Sequence, residues 1–298
     1  RDLLLVQGVY NPRQELPSVP CSDGAGIADA VGPGCSRIRQ GDRVVLHMMP
    51  DWQSGEPSSA KLTFAYGGAC REGSLEQYMI VPERALLPIP DGMSFEAAST
   101  LPCAAITAWS AIVTLGQVQP GDTVLVQGTG GVSLFALQFA KMNGAYVIAT
   151  TSSQAREAKL KALGADATIN YRSDEQWART ARSLSPSGRL DLIVDVGGGD
   201  TLDASLRVIR PGGTIALVGV LGGAMANINL PLAVMRQVRL QGVTCGSRET
   251  FEAMLRAISN HDFDPVIDTR YTFADVRQAF EHMDANGHVG KIIVEPWK

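Results

Sequence analysis

Residues 122–144, DTVLVQGTGGVSLFALQFAKMNG, limit what this chain can fold into more than any other segment. Thr123 to Gln127 is a short β-branched and aliphatic run, the pattern of a strand buried on both faces. Gly128, Gly130 and Gly131 follow at once, and then Val132, Phe135, Ala136 and Phe139 fall on one helical face until Gly144 supplies a stop. The order is strand, glycine turn, helix. A helix N-terminus presents unpaired N–H groups and the positive end of the peptide dipoles, and both draw phosphate. Glycines let the backbone approach a pyrophosphate without Cβ clashes, which makes Gly128, Thr129, Gly130, Gly131, Val132 and Ser133 a candidate phosphate-binding turn. Ser133 stands where a G-x-G-x-x-G pattern has its third glycine. On the glycines alone, an ordinary strand-to-helix turn is an equal reading.

From Ser94 onward helix and strand alternate. Residues 95–101 and 104–115 read as helices separated by Pro102. Beyond the glycine segment, strands are expected at 145–150, 167–170, 191–196, 214–220 and 239–243, with helices at 154–163, near 175–184 and at 200–209 between them. Six short apolar strands alternating with helices imply an α/β fold with a doubly wound parallel sheet, and the glycine turn follows the first strand, where a dinucleotide-binding sheet requires it. Residues 1–92 read instead as short β segments broken by turn signals such as Asn11-Pro12, Gly32-Pro33-Gly34, Gly41-Asp42 and Gly67-Gly68, which suggests a β-rich lobe. The polar stretch 51–61 reads as a surface loop. A last strand at 291–294 is expected to rejoin that lobe, giving one domain of 1–92 completed by 262–298 and a second of 93–261.

With 298 residues there is room for two such domains. A net charge of -4 leaves no basic footprint for nucleic acid and no polybasic segment for a membrane surface, so a small-molecule substrate is the expected partner. The 5 cysteines are scattered without a C-x-x-C pair, which argues against a disulfide framework and for a reducing, cytoplasmic setting. No apolar run reaches the roughly 18 residues that span a bilayer. The chain opens on Arg1, inside the apolar segment 3–6, and upstream residues are expected. No G-x-S-x-G elbow supports a serine hydrolase, and His47, His261, His282 and His288 show no metal spacing. His47, after a strand, reads as a core or surface histidine.

In a dinucleotide fold the end of the second strand decides between cofactors, because a carboxylate there accepts from the ribose hydroxyls and repels a 2′-phosphate. Here that position reads Thr150-Thr151-Ser152-Ser153, without an acid, and Arg156 stands one helical turn on. Ser152, Ser153 and Arg156 therefore favour NADP(H) over NAD(H), with a helix cap and a solvated arginine as the alternative.

Across nearly its whole length the chain resembles the medium-chain dehydrogenase/reductase superfamily, which joins a GroES-like catalytic lobe to a Rossmann domain. The segments that carry the likeness are Asp23-Gly24-Ala25-Gly26, Gly41-Asp42-Arg43-Val44, Gly73 to Tyr78, Ile89-Pro90-Asp91-Gly92, Leu101 to Trp109, Pro120-Gly121-Asp122, Gly128 to Ser133, Leu163-Gly164-Ala165, Pro211-Gly212-Gly213 and Gly290-Lys291. The resemblance implies that the family's first strands lie upstream of Arg1. It implies hydride transfer between a nicotinamide and a carbonyl, quinone or activated C=C substrate in an interdomain cleft, and it allows a homodimer built through the last strand of the sheet. Zinc members carry Gly-His-Glu where this chain reads Cys21-Ser22-Asp23; Cys103 falls at a later cysteine ligand, and no zinc is expected. By the same resemblance Tyr10 is the hydrogen-bond donor to a developing enolate, a phenol being protonated at neutral pH. Thr107 then lies near the nicotinamide, and Tyr171, Gly219 and Ser247 lie along the cofactor. The alternatives are a zinc alcohol dehydrogenase using Cys103 and a truncated dinucleotide-binding pseudoenzyme.

Overall fold

The structure, a computed structural model, describes residues 1–11 and 13–297; Pro12 of the expected Asn11-Pro12 turn lies outside them. Two compact units are present, Arg1–Ile106 with Gly246–Lys298, and Thr107–Cys245. Residues 93–106 and 246–261, assigned to the nucleotide domain from the sequence pattern, pack with the first unit.

In the first unit, β1 (Ala25–Ile27), β2 (Arg43–Leu46) and β3 (Leu86–Pro88) form an antiparallel sheet in that order. Val45 and Leu87 pair across β2 and β3 and are both buried. The apolar stretch at 3–6 is not a β segment but part of a helix, Asp2–Val6, and the stretch at 51–61 runs into a short helix, Ser59–Leu62. Both are too short to show a periodicity that separates helix from strand. Pro102 does not interrupt the helical path. Phe95–Ser99, capped by Ser94 accepting from the Ala97 N–H, leads into a wide π-type turn, Leu101–Ala105, and then Ile106–Trp109. Proline near the start of that turn gives up an N–H that needs no intrahelical partner.

The second unit is a six-stranded sheet, all parallel. Its strands are β4 (Thr123–Gln127), β5 (Tyr146–Thr151), β6 (Ala167–Asn170), β7 (Leu190–Asp195), β8 (Ile209–Leu217) and β9 (Arg239–Gly242). Their spatial order is β6-β5-β4-β7-β8-β9, the doubly wound arrangement whose reversal point lies between β4 and β7. All five residues of β4 are buried, as its unbroken apolar run requires. Phe135, Ala136 and Phe139 of the helix Gly131–Met142 are buried too, and the Phe139 ring meets Trp109 edge-on at 5.2 Å. β8 begins five residues earlier than the apolar pattern suggests, because Pro211-Gly212-Gly213 is absorbed with a shift of register against β7. A helix that the pattern missed, Leu230–Met235, buries no residue.

The chain then returns to the first unit with a helix, Arg248–Ile258, and two parallel strands, β10 (Ile267–Thr272) and β11 (Lys291–Glu295), joined through a helix, Val276–Asp284. The lobe is thus discontinuous in sequence. No helix among the described residues is long and apolar enough to cross a membrane.

Candidate functional site

β4 ends at the reversal point of the sheet, and the glycine turn leaves it there. Gly128 has φ +80, a conformation that side-chain-bearing residues rarely adopt, and its N–H donates to the Thr150 carbonyl at 3.0 Å. Gly130 is the N-cap of Gly131–Met142 and provides no side chain to the orphan N–H groups. A Cβ built on Gly128 or Gly130 meets no protein atom within 4 Å. The turn is therefore glycine-lined without being crowded by protein, as a surface reserved for a ligand would be. Ser133 replaces the packing glycine by a bond, its Oγ donating to the Gln127 carbonyl at 2.6 Å. Val132 is half-buried beside it.

Arg156 reaches back from the helix Gln154–Ala162 to the turn, its Nη1 donating to Thr129 Oγ1 at 3.4 Å. Ser153 is the N-cap of that helix but makes no side-chain cap bond, and Ser152 is half-buried before it. Thr129, Ser152, Ser153 and Arg156 thus gather at the carboxyl ends of β4 and β5. Tyr171, just past β6, is exposed and donates its N–H to the Thr151 carbonyl. Gly219 follows β8 at a point where a Cβ would lie 2.7 Å from the Val196 carbonyl. Thr107, at the start of this unit, is buried.

The first unit holds a polar cluster of its own. Cys21 has φ +72, and the carbonyls of Pro20 and Cys21 lie close against glycine backbone; a Cβ on Gly73 would lie 2.1 Å from the Pro20 oxygen. A non-glycine residue in that region costs about 1–3 kcal/mol and persists only where the surroundings hold it. It turns Ser22 and Asp23 inward. Asp23 Oδ2 accepts from Lys291 Nζ at 2.6 Å, and Ser22 Oγ is buried with no hydrogen-bond partner. Burial raises the Asp23 carboxyl despite Lys291, and it works against the Lys291 ammonium as well. There the Asp23 carboxylate more than compensates, so the lysine pKa stands above its ordinary value. Burial, and secondarily Asp23, push the Cys103 thiol up to about 11. The pairing of Asp23 with Lys291 is not legible in the sequence, because residues 268 apart carry no spacing signal.

Tyr10 is more than half exposed, with the Arg1 guanidinium 5.2 Å from its ring centre. Ser247 caps the helix Arg248–Ile258, accepting from the Thr250 N–H at 3.1 Å, and is buried in the first unit. His47 is a core histidine, fully buried, donating Nε2–H to the Gly246 carbonyl at 3.1 Å, with Nδ1 unpartnered. Burial pulls its pKa from 6.5 down to about 4, the Gly246 bond opposing. The folded state therefore favours the neutral ring, and stability from this group is full above about 6.5 and is lost as pH falls toward 4. Urea unfolding at pH 7.5 and 4.5 should register a loss approaching about 3 kcal/mol that His47→Gln removes.

The chain matches two family descriptions, "Alcohol dehydrogenase GroES-like domain" over residues 1–91 and "Zinc-binding dehydrogenase" over residues 131–260. It is 36% identical to a zinc-type alcohol dehydrogenase-like protein of Schizosaccharomyces pombe, over 99% of this chain and 87% of the relative. Among solved structures it resembles an NAD-dependent alcohol dehydrogenase (TM-score 0.89, 31% identity, 99% of this chain, 88% of that one). It also resembles the 2-octenoyl-CoA carboxylase reductase CinF in complex with NADP and 2-octenoyl-CoA (TM-score 0.82, 25% identity, 97% and 72%). Zinc appears in two of these names. Here Asp23 is engaged by an ammonium, Ser22 offers only a hydroxyl, and among the described residues no three His, Cys, Asp or Glu side chains converge. The nucleotide-type sheet with its glycine turn, the two family matches and relatives spanning nearly all of the chain agree: it belongs to the medium-chain dehydrogenase/reductase superfamily, as an NAD(P)-dependent oxidoreductase.

Proposed function

We propose that the protein transfers hydride between NADP(H) and a carbonyl, quinone or activated C=C substrate, without zinc. The observation that carries the cofactor reading is the acid-free end of β5 beside Arg156, whose guanidinium already reaches the glycine turn. A guanidinium pairs with a 2′-phosphate, whereas an NAD site places a carboxylate there. The relatives' names point both ways, one to NAD and one to NADP, so the weight rests on these residues. The nicotinamide supplies the hydride when bound. The chain's part is to hold the pyrophosphate on the Gly128 to Ser133 turn, to pair the 2′-phosphate with Arg156, and to donate a hydrogen bond from the exposed Tyr10 hydroxyl to the oxygen that gains charge.

Fluorescence titration should show NADPH binding at least about tenfold tighter than NADH, and Arg156→Ala should erase most of that preference. The same preparation should contain well under one equivalent of zinc by elemental analysis. Binding of neither nucleotide would sink the reading, and a preference for NADH that survives Arg156→Ala would overturn its cofactor half.

A further inference from the structure

β7 ends on Asp195, which is fully buried and accepts four hydrogen bonds. Oδ1 takes the Gly198 N–H at 2.9 Å and Thr201 Oγ1 at 2.7 Å, and Oδ2 takes Ser205 Oγ at 2.8 Å and Gln127 Nε2 at 3.2 Å. Its carbonyl accepts the N–H groups of Val218 and Gly219. Gln127, the last residue before the glycine turn, also accepts Ser133 Oγ on its carbonyl and the Val196 N–H on its side-chain oxygen. The Asp195 carboxylate therefore ties the end of β4 to the loop and helix that follow β7, and its backbone carbonyl holds the residues that follow β8.

The loops above it leave no room for a side chain at Gly199 or Gly222. The Gly199 N–H donates to the Gly223 carbonyl at 2.9 Å, and the Gly222 N–H to the Gly197 carbonyl at 2.7 Å. A Cβ on Gly199 would lie 2.4 Å from the Met225 oxygen, and one on Gly222 would lie 2.8 Å from Asp200 Oδ2. These glycines differ from Gly128 and Gly130, which face open space. They interlock two loops backbone to backbone into a single rim at the carboxyl edge of the second half of the sheet. In a doubly wound sheet the two halves take the two mononucleotides, and the glycine turn belongs to the first.

We propose that Asp195 is a positioning residue that locks this double glycine rim to the pyrophosphate turn and so orients the nicotinamide half of the cofactor. The proposal rests on the NADP(H) reading. Asp195 touches no ligand itself; its carboxylate acts through Gly198, Thr201 and Gln127. Asparagine keeps its shape but turns an NH₂ group toward two donors, and hydrogen bonds to a charged acceptor are the more costly kind to lose.

The test measures NADPH and its adenine fragment, 2′,5′-ADP, by titration on the full chain. Asp195→Asn should weaken NADPH by about tenfold or more, and Thr201→Val by about threefold, while 2′,5′-ADP stays within about twofold for both. General damage to the domain would weaken both ligands alike. Equal weakening of the two, or none, overturns the proposal, and Thr201→Val decides it if Asp195→Asn fails to fold. NADH and 5′-AMP run in parallel: wild type binding only that pair would sink the cofactor reading, leaving the same ratio to be read with those ligands.

Discussion

Gly130→Asp should leave the fold intact, or stabilise it by up to about 1 kcal/mol, and weaken NADPH binding by about a hundredfold or more. The two effects have opposite signs because they come from different properties of one position. Gly130 is the N-cap of Gly131–Met142 with φ -76 and ψ 175, extended backbone that aspartate adopts freely, and no protein atom lies within 4 Å of a Cβ there. Aspartate is among the preferred N-caps, since its carboxylate accepts from the orphan N–H groups. Those N–H groups are also the ones that would hold phosphate. A carboxylate seated on them consumes the donors and repels the ligand by like charge. Thermal unfolding and NADPH titration on one preparation separate the two. A variant that loses stability while binding NADPH as well as wild type would mean that the turn is scaffold and that phosphate sits elsewhere.

Lys291→Met should cost about 3–5 kcal/mol of unfolding free energy, and Asp23→Asn with Lys291→Met should recover most of it. The side chains of Lys291 and Asp23 are 21% and 13% exposed, and their atoms meet at 2.6 Å. Removing the ammonium alone strands a carboxylate in a site that already holds the unpartnered Ser22 Oγ. Neutralising both removes the stranded charge, and for buried pairs such replacement is often neutral. Denaturant unfolding of the two single variants and the double variant closes the cycle. A double variant as unstable as Lys291→Met would show that methylene packing, not charge, holds β11 to the Asp23 loop.

The second unit was legible almost strand by strand. β4 and β6 fall at the expected 123–127 and 167–170; β4 reads as a continuous hydrophobic segment because it is covered on both faces, whereas the edge strand β6 buries only Ile169. The first unit was not, since its elements are short and their partners distant in sequence. Asp2–Val6 carries one turn of helix in an apolar run that could as well be extended, and Lys291 finds Asp23 only through the fold. Within the site, the open glycines and Arg156 were readable from spacing. Gln127 and Asp195 were not, because a polar residue at the end of a strand looks the same whether it faces water or anchors four donors. Ser133 was read as a departure from a pattern; its bond to the Gln127 carbonyl makes it a substitute for that pattern's third glycine.

The discontinuity of the first unit bears on how the chain is made. Residues 107–245 form their unit from one continuous stretch, whereas the unit begun by Arg1–Ile106 needs Gly246–Lys298, including the lysine that neutralises Asp23. A ribosome delivers the chain from its N-terminus, so Asp23 cannot meet Lys291 until the whole of 107–245 has been made and β11 has followed it. The unit made from two separated stretches can therefore be completed only after the continuous unit inserted between them has been synthesised.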